Sequence, residues 1–503
     1  MQVPSDLFYG FSIALSPHNI LACFLGVLVG TLVGVLPGIG PTAAMALLLP
    51  ITFDLNPVTG IIMLAGIYYG TMYGGSTTSI LLNVPGEATA VVTAIDGYQM
   101  ARKGRAGAAL AVAAVGSFIA GTLGVIVLMI MAPPLANLAI KFGSPEFFAI
   151  ILVGLILVSR IGQESIIRSL IMVGLGLATG TVGMESISGV ARFTFNRIEL
   201  AQGIGMVPVI MGVYGVSEVL FIAERIVSIP KVIKVKLRDI FPTRREWRRA
   251  FPAMLRGSGL GFCVGLIPGP ATILSGFYSY ILEKRISKRS QEFGTGAIEG
   301  VAGPEAANNA AAAGVMVPLL SLGIPFGAAA AVLLGGLMIH GVTPGPMLMI
   351  DYPEIFWGVI ASMYIGNTML LLLNLPLVGV FVSILRIPQH ILMAIILVLC
   401  TVGAFSMSNS IVDVRILIGS GIAGYFLRKL GFNMAPMILG LVLGPVMERR
   451  LCESLMMMRG SVLDMLTRPL TATIFLIGIA AFVLPHLISL IRRRMKTIGG
   501  MSS

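Results

Sequence analysis

The sequence predicts an all-α polytopic membrane protein, with about 12 transmembrane segments in two inverted repeats that carry broken-helix hairpins. Three observations lead there. Of 503 residues, 56% are hydrophobic and only 11% charged, against roughly 25% charged in an average soluble chain. Mean hydropathy is +0.95, more apolar surface than a soluble fold of this size can hide. The 61 glycines and 28 prolines are heavy for regular helices. Membrane proteins tolerate them where neighbouring helices or a cavity re-satisfy the freed backbone groups. A water-soluble enzyme, a nucleic-acid binder and a disordered scaffold are excluded by this balance.

A crossing of about 30 Å needs roughly 20 apolar residues. Such material lies at 20–50, 57–82, 106–132, 146–160, 164–184 and 204–222, and again at 257–283, 306–340, 354–385, 388–408, 411–428, 432–447 and 470–491. Between the two groups, ten of the 34 Lys and Arg residues fall between Arg225 and Arg256. The formal charge of +12 is thus gathered in loops, as the positive-inside bias requires. We divide the chain into an N-terminal repeat half (1–222), a basic cytoplasmic linker (223–256) and a C-terminal repeat half (257–503) with one extra C-terminal transmembrane segment. The first twenty residues hold no Lys or Arg, unlike the basic n-region of a cleavable signal peptide.

Two landmarks recur in order on either side of the linker. VGVLPGIGPTAAM (33–45) matches VGLIPGPATILSG (264–276), and ILLNVPGEATAVV (80–92) matches LSLGIPFGAAAAV (320–332). Pro37 corresponds to Pro268 and Pro85 to Pro325. The loops flip in charge between the halves. After the first landmark the N-half has Asp54-Leu55-Asn56-Pro57, whereas the C-half has Lys284, Arg285, Lys288 and Arg289. After the second, the N-half has Arg102, Lys103 and Arg105, whereas 341–354 has no cation. Equivalent loops are therefore expected on opposite faces, the plan of many secondary transporters. The same count places 448–468 outside despite Arg449, Arg450, Arg459 and Arg468.

Segments 20–50 and 257–283 must then bend back at Pro37-Gly38 and Pro268-Gly269, since proline removes a donor and glycine permits positive φ. Broken helices expose N–H groups that attract carboxylates and C=O groups that coordinate Na⁺. The candidate substrate residues lie in the two pairs of broken stretches: Gly38, Gly40, Pro41, Thr42, Ser76, Thr77, Thr78, Asn83, Pro85, Gly86, Gly269, Pro270, Thr272, Gly323 and Pro325. Asn308, Asn309, Glu305 and Glu87 are candidates for the coupling ion, with Na⁺ at Asn83 and Asn309, because intramembrane carboxylates and amides are costly unless used. No resident cofactor is expected, only Na⁺ or H⁺ as coupling ion. Asp96 and Glu299 are expected at the membrane surface, solvated beside basic loops, and Glu218 is expected to anchor a helix near the linker.

Enzyme motifs are missing: there is no HExxH, GxSxG or Walker A sequence. Cys23, Cys263, Cys400 and Cys452 are scattered and the four histidines stand alone, so neither a disulfide framework nor a zinc site is expected. A channel, or a non-transporting membrane scaffold for a periplasmic binding protein, is the alternative these residues leave open.

Three long blocks, GVLPGIGPTAAMALLLPITF (34–53), YGGSTTSILLNVPGEATAVVTAIDGYQMARKGRAGAAL (73–110) and EGVAGPEAANNAAAAGVMVPLLSLGIPFGAAAAVLLGGLMIHGVTPGPML (299–348), resemble the large membrane subunit of the tripartite tricarboxylate transporter family. GMVPVIMGVYGVSEVL (205–220) is similar too. The resemblance implies a multi-pass protein of the bacterial inner membrane, working with a small membrane subunit (TctB-like) and a periplasmic solute-binding protein (TctC-like). It implies uptake of an organic carboxylate such as citrate, driven by an ion gradient rather than ATP. Family motif positions map onto Pro37, Gly38, Gly40, Pro41, Gly74, Gly75, Ser76, Asn83, Pro85 and Gly86, and onto Pro304, Glu305, Asn308, Asn309, Gly323, Ile324 and Pro325. The chain departs from the family pattern at Ala302-Gly303 and at Phe326-Gly327-Ala328, where glycine followed by Ser or Thr is expected. Fewer hydroxyls and a bulky Phe326 at one tip point toward a less charged or aromatic carboxylate. An elevator-like movement is expected by analogy with other inverted-hairpin transporters, and a dimeric assembly is left open.

Overall fold

Proline at the first helical position and polar caps start several of the helices. Asn56 accepts from the Val58 N–H (3.1 Å) ahead of Pro57, and Thr243 with Glu246 forms a capping box. The computed structural model describes residues 3–36, 39–161, 165–185, 187–224, 241–374, 376–377 and 388–482, and 80% of it is helical. In order, the helices are α1 (Val3–Ala14), α2 (Pro17–Gly34), α3 (Pro41–Thr52), α4 (Pro57–Leu82), α5 (Val91–Met100), α6 (Ala106–Ala139), α7 (Ser144–Ile161), α8 (Ile166–Gly180), α9 (Met206–Met211), α10 (Ser217–Glu224), α11 (Arg244–Gly265), α12 (Ala271–Ile286), α13 (Glu299–Leu322), α14 (Ala328–Ile339), α15 (Leu348–Asp351), α16 (Pro353–Asn374), α17 (Gln389–Ser408), α18 (Ile411–Lys429), α19 (Met434–Met457) and α20 (Pro469–Phe482). A short ribbon pairs Gly183–Met184 with Ala191–Arg192.

Among the described residues, five helical stretches are long and apolar enough to cross a membrane: Pro17–Gly34, Ala88–Ala139, Met206–Glu224, Pro353–Asn374 and His390–Ser408. The apolar helices α3, α8 and α14 are shorter. For α3 and α14 the reason is visible at the breaks. The long apolar runs 20–50, 257–283 and 306–340 are each divided, at 35–40, 266–270 and 323–327.

The chain forms two compact units, Met1–Ala139 with Ile204–Gly431, and Ile140–Gly203 with Phe432–Ser503. Each draws on both sequence halves. In the first, α2 packs on α4 and α11 packs on α13 through glycines that bring backbones together. A Cβ on Gly26, Gly30 or Gly34 would lie 2.3, 2.5 or 2.2 Å from the carbonyl oxygens of Met63, Ile67 and Thr71. A Cβ on Gly257, Gly261 or Gly265 would lie 2.3, 2.0 or 2.4 Å from those of Gly303, Ala307 and Ala311. The second set follows the first at the same offsets that relate the sequence landmarks. The helices after the breaks also interlock, α3 with α14 and α5 with α12.

The loops sort by charge. The cation-free stretches meet in one groove of about 670 Å³ lined by Asp54, Asn56, Gly341, Tyr352 and Glu354. The basic stretches meet elsewhere: Lys103 donates to the Thr295 carbonyl (2.6 Å), Arg105 pairs with Glu246, and Arg249 pairs with Glu292 (2.6 Å) and Glu299 (2.7 Å). Glu218, as expected, ties α10 to α18 through Arg428 (2.6 Å), whose guanidinium lies over the Phe221 ring.

In the second unit α19 packs against α7 and α8. Three arginines of 448–468 are paired there: Arg449 and Arg450 share Glu453, and Arg468 pairs with Glu146. Glu146 is fully buried and accepts from Arg468 Nε, Thr471 Oγ1 and the Gly143 N–H, each at 2.7 Å. Glu146→Ala strands those donors, and we expect it to cost about 2–3 kcal/mol. A thermal melt of the purified variant checks this; a midpoint equal to wild type would contradict it.

Candidate functional site

Four breaks bring the repeated landmarks together in pairs. In the N-half, α4 ends on Asn83, which takes the left-handed conformation (φ 57°), and the chain turns through Val84–Glu87 toward α5. In the C-half, α13 ends on Gly323, also left-handed (φ 70°), and turns through 324–327 into α14. Pro85 and Pro325 follow each cap by two residues and cannot continue the helix. Each tip touches the other break of its own half. The Gly269 N–H donates to the Phe326 carbonyl (3.0 Å), and Gly86 lies so close to Gly34 that a Cβ would sit 2.2 Å from its carbonyl oxygen. Pro37 and Gly38 lie outside the described residues.

Helices α3, α12 and α14 start inside the breaks, behind Gly40, Pro270 and Gly327, with no side chain capping their N–H groups. Gly40, Pro41, Thr42, Pro270, Thr272 and Gly323 are half-buried, Gly269 and Pro325 are buried, and Asn83 is exposed. Open N–H groups beside glycine-rich backbone favour a negative ligand.

Asn83 is one of few non-glycine residues with positive φ, a conformation asparagine tolerates and β-branched residues do not. Asn83→Val should therefore cost about 1–2 kcal/mol while Asn83→Gly stays near wild type. Thermal denaturation separates the two; equal stability would place the strain elsewhere.

Three of the four hydroxyls after Gly75 part company. Thr78 and Ser79 donate back to the Gly75 carbonyl of their own helix (3.1 and 3.0 Å), whereas Ser76 donates to Glu305 Oε2 (2.7 Å). Glu305 is fully buried on α13. It also accepts from Thr93 Oγ1 on α5 and Ser117 Oγ on α6 (3.4 Å). Asn309 Nδ2 donates to Ser117 Oγ (2.8 Å) and Asn308 Oδ1 (2.6 Å), joining both amides to the cluster. No Lys, Arg or His pairs with this carboxylate among the described residues. Glu87 is buried at the N-half tip beside Gly75; its Oε1 accepts from Thr89 and its Oε2 has no partner.

Thr93, Ser117 and Asn374 are site residues the sequence reading missed. Each is a polar residue in an apolar helix, a signal that is general for membrane sites but marks many candidates at once. Asp96 corrects an expectation. It is fully buried, not solvated: Oδ1 accepts from the N–H groups of Gly294 (2.9 Å), Gly296 (2.6 Å) and Ala297 (2.9 Å), and Oδ2 from Tyr280 (2.9 Å). It clamps the connector that leads into α13. Glu299, expected solvated, is likewise buried and held by Arg249.

An all-α membrane protein with paired helix breaks and a buried, uncompensated carboxylate belongs by class to the membrane transport proteins. Residues 20–439 match the model of the tripartite tricarboxylate transporter TctA family, and the chain belongs to that family. It is thus a transport component of a tricarboxylate transport system, in a family of transporters and not of enzymes. The chain is 48% identical, over 99% of both chains, to an "uncharacterized 52.8 kDa protein in TAR-I ttuC' 3'region" of Agrobacterium vitis. It is 44% identical over 234 residues to an "uncharacterized protein in TAR-II ttuC' 3'region" of the same organism, covering 46% of this chain and 97% of that one. No solved structure matches.

Proposed function

We propose that this chain is the large, multi-pass subunit of a binding-protein-dependent secondary transporter in a bacterial inner membrane, importing an organic di- or tricarboxylate on a Na⁺ or H⁺ gradient. The observation that carries the reading is the pair of hairpin tips. In each half a left-handed cap, a proline and an uncapped helix start meet the second break of that half. Uncapped N–H groups at α3, α12 and α14, with Thr42 and Thr272, hold the carboxylates of the substrate. Phe326 narrows one tip and favours a less charged or aromatic anion over citrate. A small membrane subunit and a periplasmic solute-binding protein complete the system, as the family's tripartite character implies.

The halves 1–222 and 257–503, joined by a cytoplasmic linker, form an inverted repeat of about twelve crossings. The repeated glycine contacts support this, as does the separation of cation-free from cation-rich loops. Pairing of Arg449, Arg450 and Arg468 with acids makes an external 448–468 tolerable. Reporter fusions at residue 54 and at residue 288 should report opposite membrane faces; the same face for both would refute inversion. An elevator-like displacement of the hairpin-bearing helices moves the site between faces, and cross-links that fix those helices should block transport.

The decisive experiment is uptake of radiolabelled carboxylates into proteoliposomes holding the chain, its small subunit and its binding protein, with Na⁺ and pH gradients imposed separately. Accumulation that follows one gradient and needs the binding protein is the expected result. Binding-protein docking without accumulation would leave a scaffold, and gradient-independent equilibration a channel.

A further inference from the structure

Beside Glu305 lies a small space of about 10 Å³, room for one water-sized sphere, between α4, α6, α13 and α16, lined by Ser76, Thr77, Ser117, Glu305 and Asn374 among others. Asn374 is 5% exposed; its Nδ2 donates to the Leu370 carbonyl (2.9 Å), but its Oδ1 has no donor. We infer that this space is a Na⁺ site, in which the Glu305 carboxylate, Ser76 Oγ, Ser117 Oγ and Asn374 Oδ1 supply the ligands. The inference rests on the transport reading above and assigns its coupling ion to a place inside the helix bundle, next to the N-half tip, whose Glu87 lies against Gly75.

The argument is one of charge and of lone pairs. A buried carboxylate with no cationic partner must be neutralised to remain in an apolar interior. A proton would neutralise it, but one O–H serves one acceptor, whereas a cation in this space meets the Glu305 carboxylate, the two serine oxygens and Asn374 Oδ1 together. One small cation answers both needs. Ser76 and Ser117 give their hydrogens to Glu305; the Ser76 lone pairs and the one Ser117 lone pair not taken by Asn309 Nδ2 remain to face an ion. The ligands are all oxygen, the hard set that suits an alkali or alkaline-earth ion. The lining carries one negative charge and no Lys, Arg or His, so a divalent ion would leave an excess charge in the membrane. Among the described residues no group of three His, Cys, Asp or Glu side chains could hold a transition metal.

The site connects the repeat halves: Ser76 and Ser117 come from the first, Glu305 and Asn374 from the second. Occupancy therefore ties α4 and α6 to α13 and α16, and the ends of α4 and α13 form the tips at Asn83 and Gly323.

The test uses the full chain in nanodiscs with its small subunit, measuring radiolabelled Na⁺ binding and thermal stability in NaCl against KCl at equal ionic strength. Wild type should bind Na⁺ saturably and be stabilised by it. Asn374→Leu, which removes the orphan oxygen at similar volume, and Ser117→Ala should each weaken binding about tenfold or more. Glu305→Gln should abolish it. Undiminished Na⁺ binding in Asn374→Leu and Glu305→Gln would overturn the site, and so would equal stability of the wild type in both salts. Carboxylate uptake that follows a pH gradient with no Na⁺ binding would overturn the site while leaving the transport reading intact. Na⁺ binding lost in the variants, without any carboxylate uptake by the three-component system, would uphold the site and refute the transport reading.

Discussion

Replacing Gly261 by leucine should prevent the chain from reaching its folded state. The Cα of Gly261 faces α13 so closely that the first added carbon would meet the Ala307 carbonyl oxygen at 2.0 Å, with backbone rather than a movable side chain in the way. Neither helix can retreat: Gly257 and Gly265, one turn either side, are in the same contact. Overpacking of this kind costs about 3 kcal/mol or more, a large part of a typical domain's stability. Gly259 on the same helix has nothing within 4 Å of a Cβ, so Gly259→Leu is the internal control. Size-exclusion profiles in mild detergent decide the matter. A monodisperse Gly261→Leu protein would mean that α11 and α13 are not held by this contact.

The second large effect is expected at Asp96. Its carboxylate takes three backbone N–H groups and a tyrosine hydroxyl, at 2.6 to 2.9 Å. Asp96→Ala leaves those donors buried and unpaired, which should cost about 3–5 kcal/mol. Loss should appear first in the connector 293–297, so a cysteine at Thr295 should react faster with a water-soluble maleimide in the variant. Because α13 begins directly after this connector and carries Glu305 and Asn309, Na⁺-dependent stabilisation should weaken in parallel. Unchanged labelling and unchanged melting would reduce Asp96 to a surface acid, the role its sequence context suggests.

That context explains how the sequence misplaces Asp96. It stands just ahead of the cationic run Arg102-Lys103-Gly104-Arg105, and proximity to basic loops reads as exposure. What buries it is a turn at Gly294, 198 residues away in sequence, whose N–H groups converge only after folding. Glu305 is the opposite case. Its position in a glycine- and alanine-rich run marks it from the sequence alone, because a carboxylate in an apolar helix is costly. Its partners Thr93 and Ser117 stand 212 and 188 residues away, and nothing local distinguishes them from helix-packing hydroxyls.

The sequence by itself determined the membrane class, the positions of the helix breaks and the offsets of the repeated landmarks. These rest on local causes: apolar content sets where a helix is stable in lipid, and Pro and Gly constrain φ residue by residue. Tertiary structure alone decided which hydroxyls turn back on their own helix and which reach Glu305, where the orphan oxygen of Asn374 points, and that Asp96 is a clamp. Those outcomes depend on how α4, α6, α13 and α16 approach one another. That approach is set by close contacts between small residues, whose identities are legible in the chain but whose partners are not.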